Sequence, residues 1–113
     1  FALPAKGAGN VLVTARELRE GGVTAALRHV PADASVFLSL DLDGLDPSVA
    51  PGVSAAAPGG LTWGEITALV AGVGPRLVGA ALTEYVPALD VNELTALVAA
   101  RLMIIAAGSV TRG

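Results

Sequence analysis

Apolar and polar positions divide the chain into short segments with different periods. Residues 35–40 form a nearly continuous apolar run. Such a run suits a strand buried on both faces, as in a parallel sheet. Residues 77–82 form a second run of this kind, ended by Thr83-Glu84. A short β-branched stretch at 11–14 predicts a third strand. Between these lie segments with helical signals. Residues 15–20 are helix formers stopped by Gly21-Gly22, and 23–29 form a short helix ended by Pro31. Thr62 and Glu65 have the spacing of a capping box ahead of Ile66, Leu69, Val70 and Val73, which repeat with helical period, and Gly74-Pro75 closes that helix. Asp90 with Glu93 repeats the capping signal before a helix predicted to run to about Ala107, with Gly108 as its stop. Residues 1–10 and 44–60 read as loops, the second rich in Pro, Gly, Ser and Ala. About three strands alternating with helices predict an α/β fold with a parallel sheet.

Composition narrows the possibilities. Across 113 residues the hydrophobic fraction is 53% and the charged fraction 15%, which excludes disorder over most of the chain. The net charge of −3 leaves no basic patch for phosphates, so nucleic acid is not expected as a partner. No cysteine is present, which excludes disulfides, thiolate metal sites and a cysteine nucleophile. The apolar stretch at 94–108 is interrupted by Arg101 and is too short for a membrane span, so no membrane partner is expected either. With no cysteine and no secretory pattern in these residues, the expected compartment is the cytoplasm. A chain this apolar should leave adhesive faces. Together with a first residue, Phe1, that is not methionine, this gives the expectation of a partial domain over 1–113 that rests against further protein.

The most informative segment is Ser39-Leu40-Asp41-Leu42-Asp43-Gly44-Leu45-Asp46-Pro47. Asp41 and Asp43 are two apart at a strand end. Alternation would put both side chains on one face, about 6.6 Å apart along the backbone. Sites in open parallel sheets form beyond the carboxyl ends of the strands. Two carboxylates converging there without a basic partner repel each other, and a divalent cation relieves that repulsion. Oxygen donors favour Mg, Ca or Mn. The alternative is that these aspartates cap backbone groups in a turn. Asp46, directly before Pro47, reads as a brace for the loop. An EF-hand calcium loop does not fit, because its sixth position would be Asp46 and its twelfth Gly52. The D-x-D-G of haloacid-dehalogenase-like phosphatases matches Asp41 to Gly44. However, Leu45 stands where that family has Thr or Val, and the only lysine, Lys6, lies upstream.

A longer pattern fits better. Ser39 to Pro47, then Pro51-Gly52, then Pro58-Gly59-Gly60-Leu61-Thr62 with Glu65, then Thr83-Glu84-Tyr85-Val86-Pro87 follow one another in order. In this the chain resembles the arginase/agmatinase (ureohydrolase) family over nearly its whole length. The resemblance implies a three-layer α/β/α fold with a mostly parallel sheet, of which this chain would be the C-terminal portion. It also implies a centre of two manganese ions and hydrolysis of a guanidino or amidino C–N bond through a metal-bridging hydroxide, releasing urea or a related product. By position Asp41 would bridge the two metals, Asp43 would bind one of them, and Glu84 would hold the planar cation of the substrate. A carboxylate can accept paired N–H bonds from such a cation. The alternative for Glu84 is an exposed acid at a strand end. The implied partners are a small guanidino or amidino substrate, and either the remainder of a ureohydrolase chain or further copies in a homo-oligomer. A non-catalytic structural remnant of the fold is the alternative of another class.

The family's other metal ligands come from motifs with His and Asp, including D-x-H-x-D, and none occurs here. The single histidine, His29, reads as a solvated side chain, and Asp33 and Asp90 as turn and cap residues. Two aspartates do not complete a two-metal site, so these 113 residues alone are expected to show no turnover. After Pro51-Gly52, where the family is often rich in Thr and Gly, the chain reads Val53-Ser54-Ala55-Ala56-Ala57. That leaves the choice of guanidino or amidino substrate open.

Overall fold

The structure, a computed structural model, describes residues 9–110. Most of the predicted loop at 1–10, and Lys6, lie outside them. The elements are α1 (Ala15–Gly21), α2 (Thr24–Leu27), β1 (Val36–Asp41), α3 (Trp63–Val73), β2 (Leu77–Thr83) and α4 (Leu94–Val110). Short 3-10 turns follow at Leu42–Gly44, Gly74–Arg76 and Pro87–Leu89.

β1 and β2 pair in parallel, with Leu38 opposite Ala80, Leu40 opposite Leu82 and Asp41 opposite Thr83. Among the described residues the sheet has these two strands. The predicted strand at 11–14 is not part of it. Thr14 instead caps α1, its hydroxyl accepting from the Glu17 amide at 3.1 Å. The local β-propensity gives way there to this cap. The predicted helix at 23–29 shortens to the four residues of α2.

The capping box at Thr62 forms in full. The Thr62 hydroxyl accepts from the Glu65 amide at 3.1 Å, and the Glu65 carboxylate accepts from the Thr62 amide at 2.9 Å. α3 then buries Ile66, Val70 and Val73. α4 buries Thr95, Val98, Leu102, Ala106 and Ser109, spaced at three and four residues. Both helices join one core with Leu40, Leu42, Leu45, Ala50, Val53 and Leu77. Leu42 and Leu45 are among the most completely enclosed side chains, each contributing about 1.5–3 kcal/mol through burial.

Burial in β1 alternates, contrary to the expectation of a strand covered on both faces. Val36, Leu38 and Leu40 are partly or fully buried, whereas Phe37, Ser39 and Asp41 are exposed. Phe37 is 64% exposed and lies over Gly79, where an added Cβ would come within 2.9 Å of its ring. The described residues therefore supply the sheet and the helices of one face, and leave the other face uncovered. α4 does not stop at Gly108 but continues to Val110. No helix among the described residues is long and apolar enough to cross a membrane.

Candidate functional site

The site lies where β1 and β2 end, on the edge to which both strands point their C-termini. Asp41 is the last residue of β1 and Thr83, its partner in register, the last of β2. The Thr83 hydroxyl donates to Asp41 Oδ1 at 2.5 Å. Asp43 lies one turn further on, half-buried in the 3-10 turn Leu42–Gly44. β1 ends before it, so the alternation expected from sequence stops at Asp41. The turn itself is held by the enclosed Leu42. Glu84 directly follows β2 with φ of 74°, a left-handed conformation that residues with a Cβ seldom adopt. Such backbone persists only where its surroundings over-determine it. Here Thr83 is tied to Asp41, and the Val86 amide donates to the Gly52 carbonyl at 2.8 Å.

Two loops frame this edge. In the loop after β1, Asp46 is the brace expected from sequence. Its carboxylate accepts from the Ser48 hydroxyl and amide and from the Gly59 amide at 2.9 Å. The Asp46 amide donates to the Leu61 carbonyl at 2.9 Å, and the Leu61 amide to the Gly44 carbonyl at 3.0 Å, closing the loop as a short parallel bridge between Leu45 and Leu61. Arg19 of α1 clamps the far side, donating to the Gly60 carbonyl at 2.6 Å and to Glu65 at 3.1 Å.

In the loop after β2, Asp90 is not half of a capping box with Glu93. Asn92 and Glu93 are left-handed, and Asp90 reaches over them to accept from the amides of Thr95 at 2.9 Å and Ala96 at 3.1 Å. It also accepts from the Val91 amide and the Tyr85 hydroxyl. Gly52 joins the two loops. Its amide donates to the buried Thr95 hydroxyl at 2.7 Å, and a Cβ there would meet Thr95 and Asp90 within about 3.0 Å.

Hydrogen bonds shift the carboxylates of the two loops. The donors Ser48 and Gly59 hold Asp46 below the usual range. Burial works against ionisation of Asp90, but the bonds from Thr95, Ala96 and Val91 outweigh it and hold the group far below its ordinary value. Folding favours the charged form of both. Their contribution to stability is complete above about pH 4, the ordinary aspartate value, and is lost as pH falls towards the folded-state values. The thermal midpoint is expected to decline steadily below pH 4. In Asp90→Ala it should lie lower at pH 7 and vary less over that acid range. Circular dichroism melts at several pH values measure both effects.

Asp41, Asp43 and Glu84, the three residues chosen from sequence, thus gather at one sheet edge. No lysine or arginine pairs with any of them among the described residues. His29 is exposed, beside Arg28, and Asp33 lies in a turn. The sequence places Thr83 and Gly52 within the longer pattern without giving either a role, and it offers no sign of Arg19. For Thr83 the available signal was that a strand ending in Thr-Glu runs parallel to one ending in Asp-x-Asp. As donors, two carboxylates suit a hard divalent cation in kind, and they amount to part of a coordination shell. Among the described residues no group of three or more His, Cys, Asp or Glu could hold a metal. In donor type Asp41 and Asp43 fit a hard divalent cation, and with the other described residues they form no cluster that could hold one.

Comparison with known proteins matches residues 4–108 to the Arginase family. The putative agmatinase 3 of Schizosaccharomyces pombe is 37% identical over 99 residues, covering 84% of this chain and 24% of that protein. An agmatinase of Chromobacterium violaceum is 35% identical over 89 residues, covering 75% and 28%. Among solved structures, proclavaminate amidino hydrolase from Streptomyces clavuligerus superposes with a TM-score of 0.81 at 34% identity, covering 88% of this chain and 35% of that one. Arginase from Bacillus caldovelox superposes with a TM-score of 0.74 at 36% identity, covering 87% and 34%. The chain spans about a quarter of the length of the curated relatives it matches.

Proposed function

The chain belongs to the arginase family, and from that premise we propose that it supplies metal-binding and substrate-binding groups to a manganese-dependent ureohydrolase that splits a guanidino or amidino C–N bond. One observation carries the reading. Asp41 and Glu84 stand at the ends of adjacent parallel strands, in a register that sets Glu84 one residue beyond the partner of Asp41. Asp41 and Asp43 would hold the metal pair, which when bound supplies a water nucleophile of lowered pKa and Lewis-acid polarisation. Glu84 accepts paired N–H bonds from the planar cation and fixes its carbon for attack. Overall a water oxygen would bond to that carbon, one C–N bond would break, and the departing amine would take up the proton that the water gives up. The uncovered sheet face, with Phe37, supports further protein against it, either other ureohydrolase sequence or a second copy. The cytoplasm is the proposed compartment, in keeping with a cysteine-free chain.

The intact protein, loaded with manganese, is expected to release urea from at least one of arginine, agmatine and guanidino acids. Colorimetric urea detection with each substrate tests this. A folded, manganese-loaded protein that releases no urea or amine from any of them overturns the reading.

A further inference from the structure

The strand-end threonine holds a carboxylate at the sheet edge. Thr83 and Asp41 are both exposed, and they lie on the sheet face away from the core. An exposed hydrogen bond between side chains adds little to stability, because water competes for both partners. Its geometry is nonetheless well defined. The two residues are partners in register, and the Thr83 hydroxyl reaches Asp41 Oδ1. Among the described residues, Oδ2 accepts no hydrogen bond. Threonine is stiff about χ1, so its hydroxyl is held in place before any ligand arrives. It is also neutral, so it orients the carboxylate without competing electrostatically with a cation, as lysine or arginine would.

We propose that Thr83 is a positioning residue for Asp41, fixing the carboxylate so that Oδ2 is presented to a divalent cation. The proposal rests on the metal-binding role given to Asp41 above. Groups that hydrogen-bond a metal ligand set its orientation, and their loss typically weakens metal affinity about 10–100-fold. Thr83 also immediately precedes the left-handed Glu84. One short segment thereby sets the positions of the candidate metal ligand and of the candidate substrate carboxylate.

The test is calorimetric titration of manganese into the intact wild-type protein, Thr83→Val, Thr83→Ser and Asp41→Asn, with a thermal melt of each. Thr83→Val keeps the shape and the strand propensity and removes the hydroxyl. It is expected to bind manganese about tenfold more weakly or worse, while Thr83→Ser stays within about threefold of wild type. Equal affinity in wild type and Thr83→Val overturns the positioning role and leaves Asp41 as a ligand. Equal losses in Thr83→Val and Thr83→Ser overturn it as well, since packing rather than the hydroxyl would then be responsible. If Thr83→Val melts markedly lower, Thr83→Ala against Thr83→Ser makes the same comparison. A wild type that binds no manganese overturns the metal reading itself, and this proposal with it.

Discussion

Asp41→Asn is expected to remove measurable manganese binding and to reduce urea release from the intact protein by at least about 10³-fold, the scale of several kcal/mol of lost charge stabilisation. The substitution is nearly isosteric. Oδ1 of the amide can still accept from Thr83, so the junction between β1 and β2 keeps its hydrogen bond. Asp41 is exposed and makes no ion pair among the described residues, so the fold does not depend on its charge. What disappears is the anionic oxygen that a hard cation requires. Metal affinity, urea release and the melt should therefore separate, the first two collapsing and the third holding. A variant that keeps full activity would remove Asp41 from the site.

Gly60→Val is expected to have the largest effect on stability. A Cβ at Gly60 would lie 2.5 Å from the carbonyl carbon of Leu45, 2.6 Å from the Asp46 nitrogen and 2.8 Å from the Gly44 oxygen. All three are backbone atoms of the turn that follows β1, so no flexible side chain can swing aside. Accommodating valine means parting the bridge between Leu45 and Leu61 and unseating the Asp46 brace. Overpacking of this kind costs about 3 kcal/mol or more, a drop of roughly 10 °C or more in thermal midpoint for a domain of this size. Gly44→Ala is the control. Nothing lies within 4 Å of its Cβ position, and its backbone needs no left-handed conformation, so its melt should match wild type closely.

Much of this was legible in the sequence wherever a local pattern and a tertiary need coincided. The box at Thr62 and Glu65 is a self-contained arrangement of side chain and backbone, and it formed as spaced. The apolar runs that became β1 and β2 had to be buried on at least one face, and they pair in parallel. The failures occurred where distant groups decide. The stretch at 11–14 has the composition of a strand, but in the described residues it has no neighbouring strand to pair with. Asp90 carries a capping signal, yet it reaches past two left-handed residues to amides that spacing rules do not anticipate. Asp41 and Asp43 were identified as a pair by chemistry, while the 3-10 turn that separates them from simple alternation depends on the burial of Leu42. Thr83 could be placed at a strand end from sequence, but its bond to Asp41 depends on which residue lies opposite it.

The left-handed backbone at Glu84 also carries a cost. Glycine or asparagine would occupy that conformation more comfortably, glycine by about 1 kcal/mol. A small part of the folding free energy is thus stored as strain at the residue that brings a carboxylate to the sheet edge, sustained by the bonds of Thr83 and Val86 on either side of it.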